Sequence, residues 1–171
     1  MEEIAAENLK GFTKLVTYGT TANNIQYVIM QKYGPSLKQM LRRTKTKRFH
    51  IKTAIQIGLQ MIDRLEALHK LGYLHLDIKP DNILLGSSNR TRLESSTIFL
   101  IDYGISKKYL DEYGDHIPEN TIVPFSGNVL FASKNAFMQI EQSRRDDLIS
   151  LCYFLAFLLN AELTWHGNLK H

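Results

Sequence analysis

Two short strings hold the residues best suited to chemistry. The first is His75-Leu76-Asp77-Ile78-Lys79-Pro80-Asp81-Asn82; the second, Asp102-Tyr103-Gly104, begins twenty residues after Asn82. Asp77 offers a carboxylate that can accept or orient the proton of a hydroxyl nucleophile. Asn82 and Asp102 offer oxygen ligands to a hard cation such as magnesium. Lys79, two residues beyond Asp77, can place a positive charge beside a transferring phosphate. Phosphoryl transfer needs little covalent help and much positioning of charge, which is what these groups supply. Singly, each has an ordinary structural use as a cap, a turn or a packed core residue. It is their order and spacing together that point to this chemistry.

The elements around these strings must bring them together. Lys14 to Tyr18 and Ile25 to Met30 read as two strands about a turn from Gly19 to Asn24. Gly34-Pro35-Ser36 breaks the chain, with Pro35 placed to open a short helix through Leu41. Ile51 to Leu71 reads as a long helix whose apolar face is Ile51, Ile55, Leu59, Ile62, Leu65 and Leu68. Brief strands at Ile83 to Leu85 and Ile98 to Ile101, joined by a surface loop from Ser87 to Ser96, would carry Asp102 back to Asn82. Residues 104–135, with Gly114, Pro118, Pro124 and Gly127, read as a long ordered loop. A last helix starts near Ser143, where Ser143 and Asp146 form a capping pair. It is apolar nearly all round, which predicts a central position.

Composition sets the class. The chain has 171 residues, 44% hydrophobic and 22% charged, which suits one globular domain and excludes a disordered tail, a collagen-like repeat or a disulfide scaffold. A single cysteine, Cys152, cannot form an internal bridge, so a reducing compartment, cytoplasmic or nuclear, is expected. The acidic start lacks a signal peptide's apolar run, and the most apolar stretch, Leu148 to Leu159, is too short for a membrane span. From Asn8 to Ile62 there are ten Lys/Arg and no Asp or Glu, although the net charge is only +4. Such a basic surface is compatible with acidic protein substrates. No zinc-finger spacing or RNP-like string accompanies it, so nucleic acid is not expected as a partner. Nothing in the sequence sets the oligomeric state.

The two strings, in this order, resemble the H-R-D-L-x-x-x-N and D-F-G of protein kinases. Further strings make the chain similar to the casein kinase I family of serine/threonine kinases. They are Tyr33-Gly34-Pro35-Ser36-Leu37, Lys79-Pro80-Asp81-Asn82, Ile101-Asp102-Tyr103-Gly104 with Lys107-Lys108-Tyr109, and above all Ile140-Glu141-Gln142-Ser143-Arg144-Arg145-Asp146-Asp147-Leu148. The resemblance implies an α+β, kinase-like fold, mostly the helical large lobe. Residues 1–33 would be the end of the small lobe with the hinge, and 34–171 the large lobe. It implies ATP and Mg2+ as cofactors and protein Ser/Thr hydroxyls as acceptors. Asp77 and Lys79 would be catalytic, Asn82 and Asp102 would hold the metal, and Met30, Gln31, Tyr33 and Leu84 would bind ATP. Met30 would be the gatekeeper, with backbone groups of Gln31 and Tyr33 bonding adenine and Leu84 beneath it. His75 would pack as a structural support rather than act as an acid or base, and Asp147 would tie the last helix to the catalytic loop.

The sequence also departs from the pattern. It contains no G-x-G-x-x-G and no V-A-I-K-like strand, so the expectation is a kinase domain truncated at both ends. The competing reading is an inactive kinase fragment serving as a protein-binding module. Leu76 stands where most kinases have an arginine that docks a phosphorylated loop, so phosphorylation at Thr121 or Ser126 should not act by that route. Asn128 and Leu130 replace a threonine and an anion-binding arginine, which predicts a weaker preference for acidic or phosphorylated substrates. Tyr103 replaces a phenylalanine, and its hydroxyl needs a partner.

Overall fold

The computed structural model describes residues 9–86, 96–119, 122–165 and 167. The predicted surface loop after Gly86 lies, apart from Ser96, outside the described residues, as does Thr121. Helices and strands are mixed, with three two-stranded antiparallel sheets. β1 (Leu15–Thr20) pairs with β2 (Gln26–Met30), with a register irregularity between Leu15 and Thr17. Both strands lie close to their predicted positions, with β1 running on to Thr20. β3 (Tyr73–Leu74) pairs with β6 (Lys107–Lys108), and β4 (Ile83–Leu85) with β5 (Ile98–Leu100).

Among the described residues the helices are α1 (Leu37–Arg43), α2 (Ile51–Lys70), α3 (Lys134–Phe137) and α4 (Arg144–Asn160). Ser36, not Pro35, opens α1: its Oγ accepts the Gln39 N–H, and the Gln39 side chain accepts the Ser36 N–H. A reciprocal cap satisfies two orphan helix donors, which a proline cannot do. Thus Pro35 lies one residue before the cap. The predicted long loop is interrupted by β6 and α3 but otherwise stands.

The buried face of α2 differs from the predicted one. Leu65 and Leu68 are buried, but Ile51, Ile55, Leu59 and Ile62 are roughly half exposed. Ala54, Ile57, Gly58 and Met61 are buried instead. The helix carries two apolar stripes, and the one with small residues wins because it lets α4 approach. A Cβ added at Gly58 would sit 3.1 Å from Leu155 of α4. The core between the helices and the β4–β5 pair gathers Ile57, Met61, Leu65, Ile83, Leu100, Leu151, Phe154 and Leu158. α4 is therefore central on one side only. Its residues Leu148 and Cys152 are exposed.

Candidate active site

The site is built where β3 and β4 end on the core. The segment from His75 to Asn82 contains a 3-10 turn, Pro80–Asn82, and lies between two core layers, with Leu74, Ile78 and Ile83 buried. Its backbone is fixed from below by one carboxylate. Asp147, buried in the first turn of α4, accepts the His75 N–H at 2.9 Å with Oδ2 and the Leu76 N–H at 2.9 Å with Oδ1. Leu76 has φ 67°, a left-handed conformation that a leucine adopts only under constraint. The two bonds from Asp147 supply that constraint. They turn the chain so that Asp77 follows directly.

Asp77 is nearly buried, and its charge is matched. Oδ2 accepts from Lys79 Nζ at 2.5 Å and from Asn82 Nδ2 at 2.8 Å. Asn82 Nδ2 also donates to the Asp77 carbonyl at 2.9 Å. Three of the residues predicted to act together are thus in direct contact. Because the amide nitrogen of Asn82 is taken up on Asp77, its Oδ1 is the atom left for a cation. Asp102 is brought alongside by the β4–β5 pair, since the Ile101 N–H donates to the Asn82 carbonyl at 3.0 Å. Asp102 has φ 66°, and its Oδ1 accepts the Gly104 N–H at 3.3 Å, leaving Oδ2 for a ligand. Among the described residues no cluster of three or more His, Cys, Asp or Glu could hold a metal by itself. Two hard oxygen donors fit Mg2+, which takes few protein ligands and keeps waters and phosphate oxygens.

His75 is enclosed. Its Nδ1 accepts the Asp77 N–H at 3.2 Å, so Nε2 carries the proton and donates to the Ile101 carbonyl at 3.1 Å. Burial holds its pKa below the ordinary value, against weaker opposing pulls from Asp147, the Ile101 carbonyl, Asp77 and Asp102. A neutral imidazole with both nitrogens engaged is an orienting group. Its ring packs edge-on to Tyr103, 5.4 Å between centroids. The Tyr103 hydroxyl finds its partner in the Leu100 carbonyl at 2.7 Å, and burial pushes its pKa far upward.

The hinge residues run beside β4. The Gly34 N–H donates to the Leu85 carbonyl at 2.8 Å, and the Leu85 N–H to the Pro35 carbonyl at 3.0 Å. This approach needs glycine: a Cβ at Gly34 would lie 2.5 Å from the Gly86 carbonyl oxygen. Leu84, on β4, thereby sits on the strand next to the hinge. Met30 closes β2, and the Gln31 N–H is taken by the Lys14 carbonyl at 3.1 Å. Of the Gln31 backbone groups, only the carbonyl is left for a base. Tyr33 packs on Phe99, 4.2 Å between centroids.

A model of the protein kinase domain matches residues 1–170. The chain belongs to the protein kinase domain family. Kinase domains transfer phosphate to proteins and use ATP with Mg2+, and the oxygen donors of Asn82 and Asp102 suit that use. No helix among the described residues is long and apolar enough to cross a membrane.

One positioning group of this kinase domain was not visible in the sequence. His69, on the last turn of α2, places Nε2 2.9 Å from Asp147 Oδ2. Its carbonyl accepts the Tyr109 hydroxyl at 2.8 Å. His69 thus helps to fix the carboxylate that fixes Leu76. A histidine on an amphipathic helix gives no signal of this kind, because its partner lies 78 residues away.

Proposed function

We propose that this chain is the phosphoryl-transfer core of a serine/threonine protein kinase of casein kinase I type. The observation that carries the reading is the Asp77 carboxylate, held between Lys79 and Asn82 on a loop that Asp147 fixes. In this reading Asp77 receives or orients the proton of the substrate hydroxyl, and Lys79 faces the transferring phosphate. Asn82 Oδ1 and the Asp102 carboxylate hold Mg2+, which when bound screens the charge of the nucleotide phosphates. Adenine lies against Met30 and Leu84, bonded by the Gln31 carbonyl and the Tyr33 backbone. Residues 1–33 form the end of the small lobe with the hinge, and 34–171 the large lobe.

The casein kinase I assignment draws on the string from Ile140 to Leu148, several of whose polar side chains are paired. Glu141 pairs with Lys107 at 2.6 Å, Gln142 Nε2 donates to the Ser126 carbonyl at 3.2 Å, and Arg145 pairs with Glu119 at 2.5 Å. Asp146 accepts the Ser133 hydroxyl at 2.6 Å and the Ser143 N–H at 2.7 Å.

Nucleotide binding tests the reading against that of a pure binding module. MgATP at 100 times its Kd should stabilise the protein by about 2.7 kcal/mol, seen as a rise in Tm. Asp102→Ala should remove most of that rise. No rise at millimolar MgATP would favour the binding module.

A further inference from the structure

Resting on the kinase reading above, we infer that the face beside the Asp77 loop selects apolar side chains flanking the Ser or Thr of a protein substrate, in place of acidic or phosphorylated ones. Residues 122–127 form one of the segments that border that loop. Gly127, with φ 130°, runs so close beneath it that a Cβ would lie 3.0 Å from the Leu76 carbonyl oxygen. The same segment and Leu76 line a cavity of about 290 Å³. The segment 122–127 therefore lies beside Leu76, the residue that precedes Asp77.

Together with α3 and Met138 beside it, this segment displays apolar surface. Ile122 is 84% exposed, Phe137 51% and Met138 55%, with Phe125 also in solvent. Phe125 and Phe137 pack with ring centroids 5.4 Å apart and planes tilted by 37°, which joins the segment to α3. The Ile122–Ile140 bridge and the Val123 N–H on the Gln139 carbonyl, at 2.8 Å, hold the two halves of the patch side by side. Grouped exposure of this kind marks a contact surface, unlike isolated apolar residues.

The charges argue the same way. Lys107 is paired with Glu141 and Arg145 with Glu119, while Lys79 is held by Asp77. Among the described residues, Lys134 is the cation of this face with no acidic partner. Leu130, where an anion-binding arginine would serve, is packed against the core, and its carbonyl accepts from Trp165 Nε1 at 3.0 Å. Except at Lys134, an acidic side chain arriving here would have to pull a cation from its own carboxylate. An apolar one meets surface already exposed and needing cover.

The test is equilibrium binding to the full chain by fluorescence anisotropy. Two labelled peptides share one central Ser: one has flanking Leu and Val, the other flanking Asp and phosphoserine. The apolar peptide should bind on the order of 10-fold more tightly, the effect of burying one such side chain. Phe125→Lys and Phe137→Lys should each erase most of that preference at unchanged Tm, and Met138→Lys replaces either variant that fails to fold. Equal or tighter binding of the acidic peptide would overturn the inference, and so would a preference that survives the substitutions. Sedimentation showing self-association that Phe137→Lys abolishes would also overturn it, by giving the patch to a second copy. Because the readout is binding, a wild-type protein that transfers no phosphate yet prefers the apolar peptide would overturn only the kinase reading.

Discussion

The loop from Leu74 to Asn82 and the hairpin of β1 and β2 are held in opposite ways. The loop has almost no repetitive backbone pairing. Its shape comes from side chains, with Asp147, His75 and Asn82 each making two or more buried hydrogen bonds. The hairpin is held by its own backbone ladder, and Val16, Tyr18, Tyr27, Val28 and Ile29 stand largely in solvent. A two-stranded hairpin with that exposure has little burial to stabilise it. The difference teaches where precision is stored. The loop that carries Asp77 is specified by buried polar groups bonded to one another.

The strongest way to break this contrast is to remove Asp147. Asp147→Ala leaves the His75 and Leu76 N–H groups and His69 Nε2 without their buried acceptor, which should cost on the order of 3 kcal/mol or more. A denaturant titration would show it, and a cost below about 1 kcal/mol would mean the loop holds itself. Hydrogen exchange sharpens the comparison without mutation. The His75 and Leu76 amides should exchange only on near-global opening, while those of β1 and β2 should exchange much faster through local opening.

Acid should act on the loop first. Burial keeps the folded-state pKa of His75 below the 6.5 of the free side chain, so between the two values the unfolded chain holds more protons. The His75 contribution is thus present above about pH 6.5 and lost as pH falls through and below it. Tm should decline from pH 7 to pH 5, and NMR should show the His75 ring still neutral at its ordinary midpoint. The smallest effects separate the two regions most cleanly. Tyr103→Phe, which removes the hydroxyl bonded to the Leu100 carbonyl, should cost about 1 kcal/mol. Val16→Thr on the hairpin should change stability by less than about 0.5 kcal/mol.

Much of this was legible in the sequence. The position of α2, the β4–β5 pair and the meeting of Asp77, Lys79 and Asn82 all follow from local pattern, because periodicity and short spacings are local properties. The buried face of α2 was not legible. Ile51, Ile55, Leu59 and Ile62 form as good an apolar stripe as the one that packs, and the choice fell to Gly58 and Ala54, which a hydrophobic count barely registers. The cap at Ser36 was hidden behind the more conspicuous Pro35. The role of His69 was invisible, because it depends on a carboxylate far along the chain. Leu130 showed only the loss of a cation. Seeing what the surface offers instead took the clustering of Phe125 with Phe137.

In the proposed function the Asp77 carboxylate, as Lys79, Asn82 and Asp147 hold it, serves phosphoryl transfer. The most direct test is transfer of the γ-phosphate of MgATP to a Ser-containing peptide, comparing the wild-type protein with Asp77→Asn at matched Tm. That role requires measurable transfer by the wild type and a loss of on the order of 100-fold or more in the variant. Equal rates in the two proteins would contradict it.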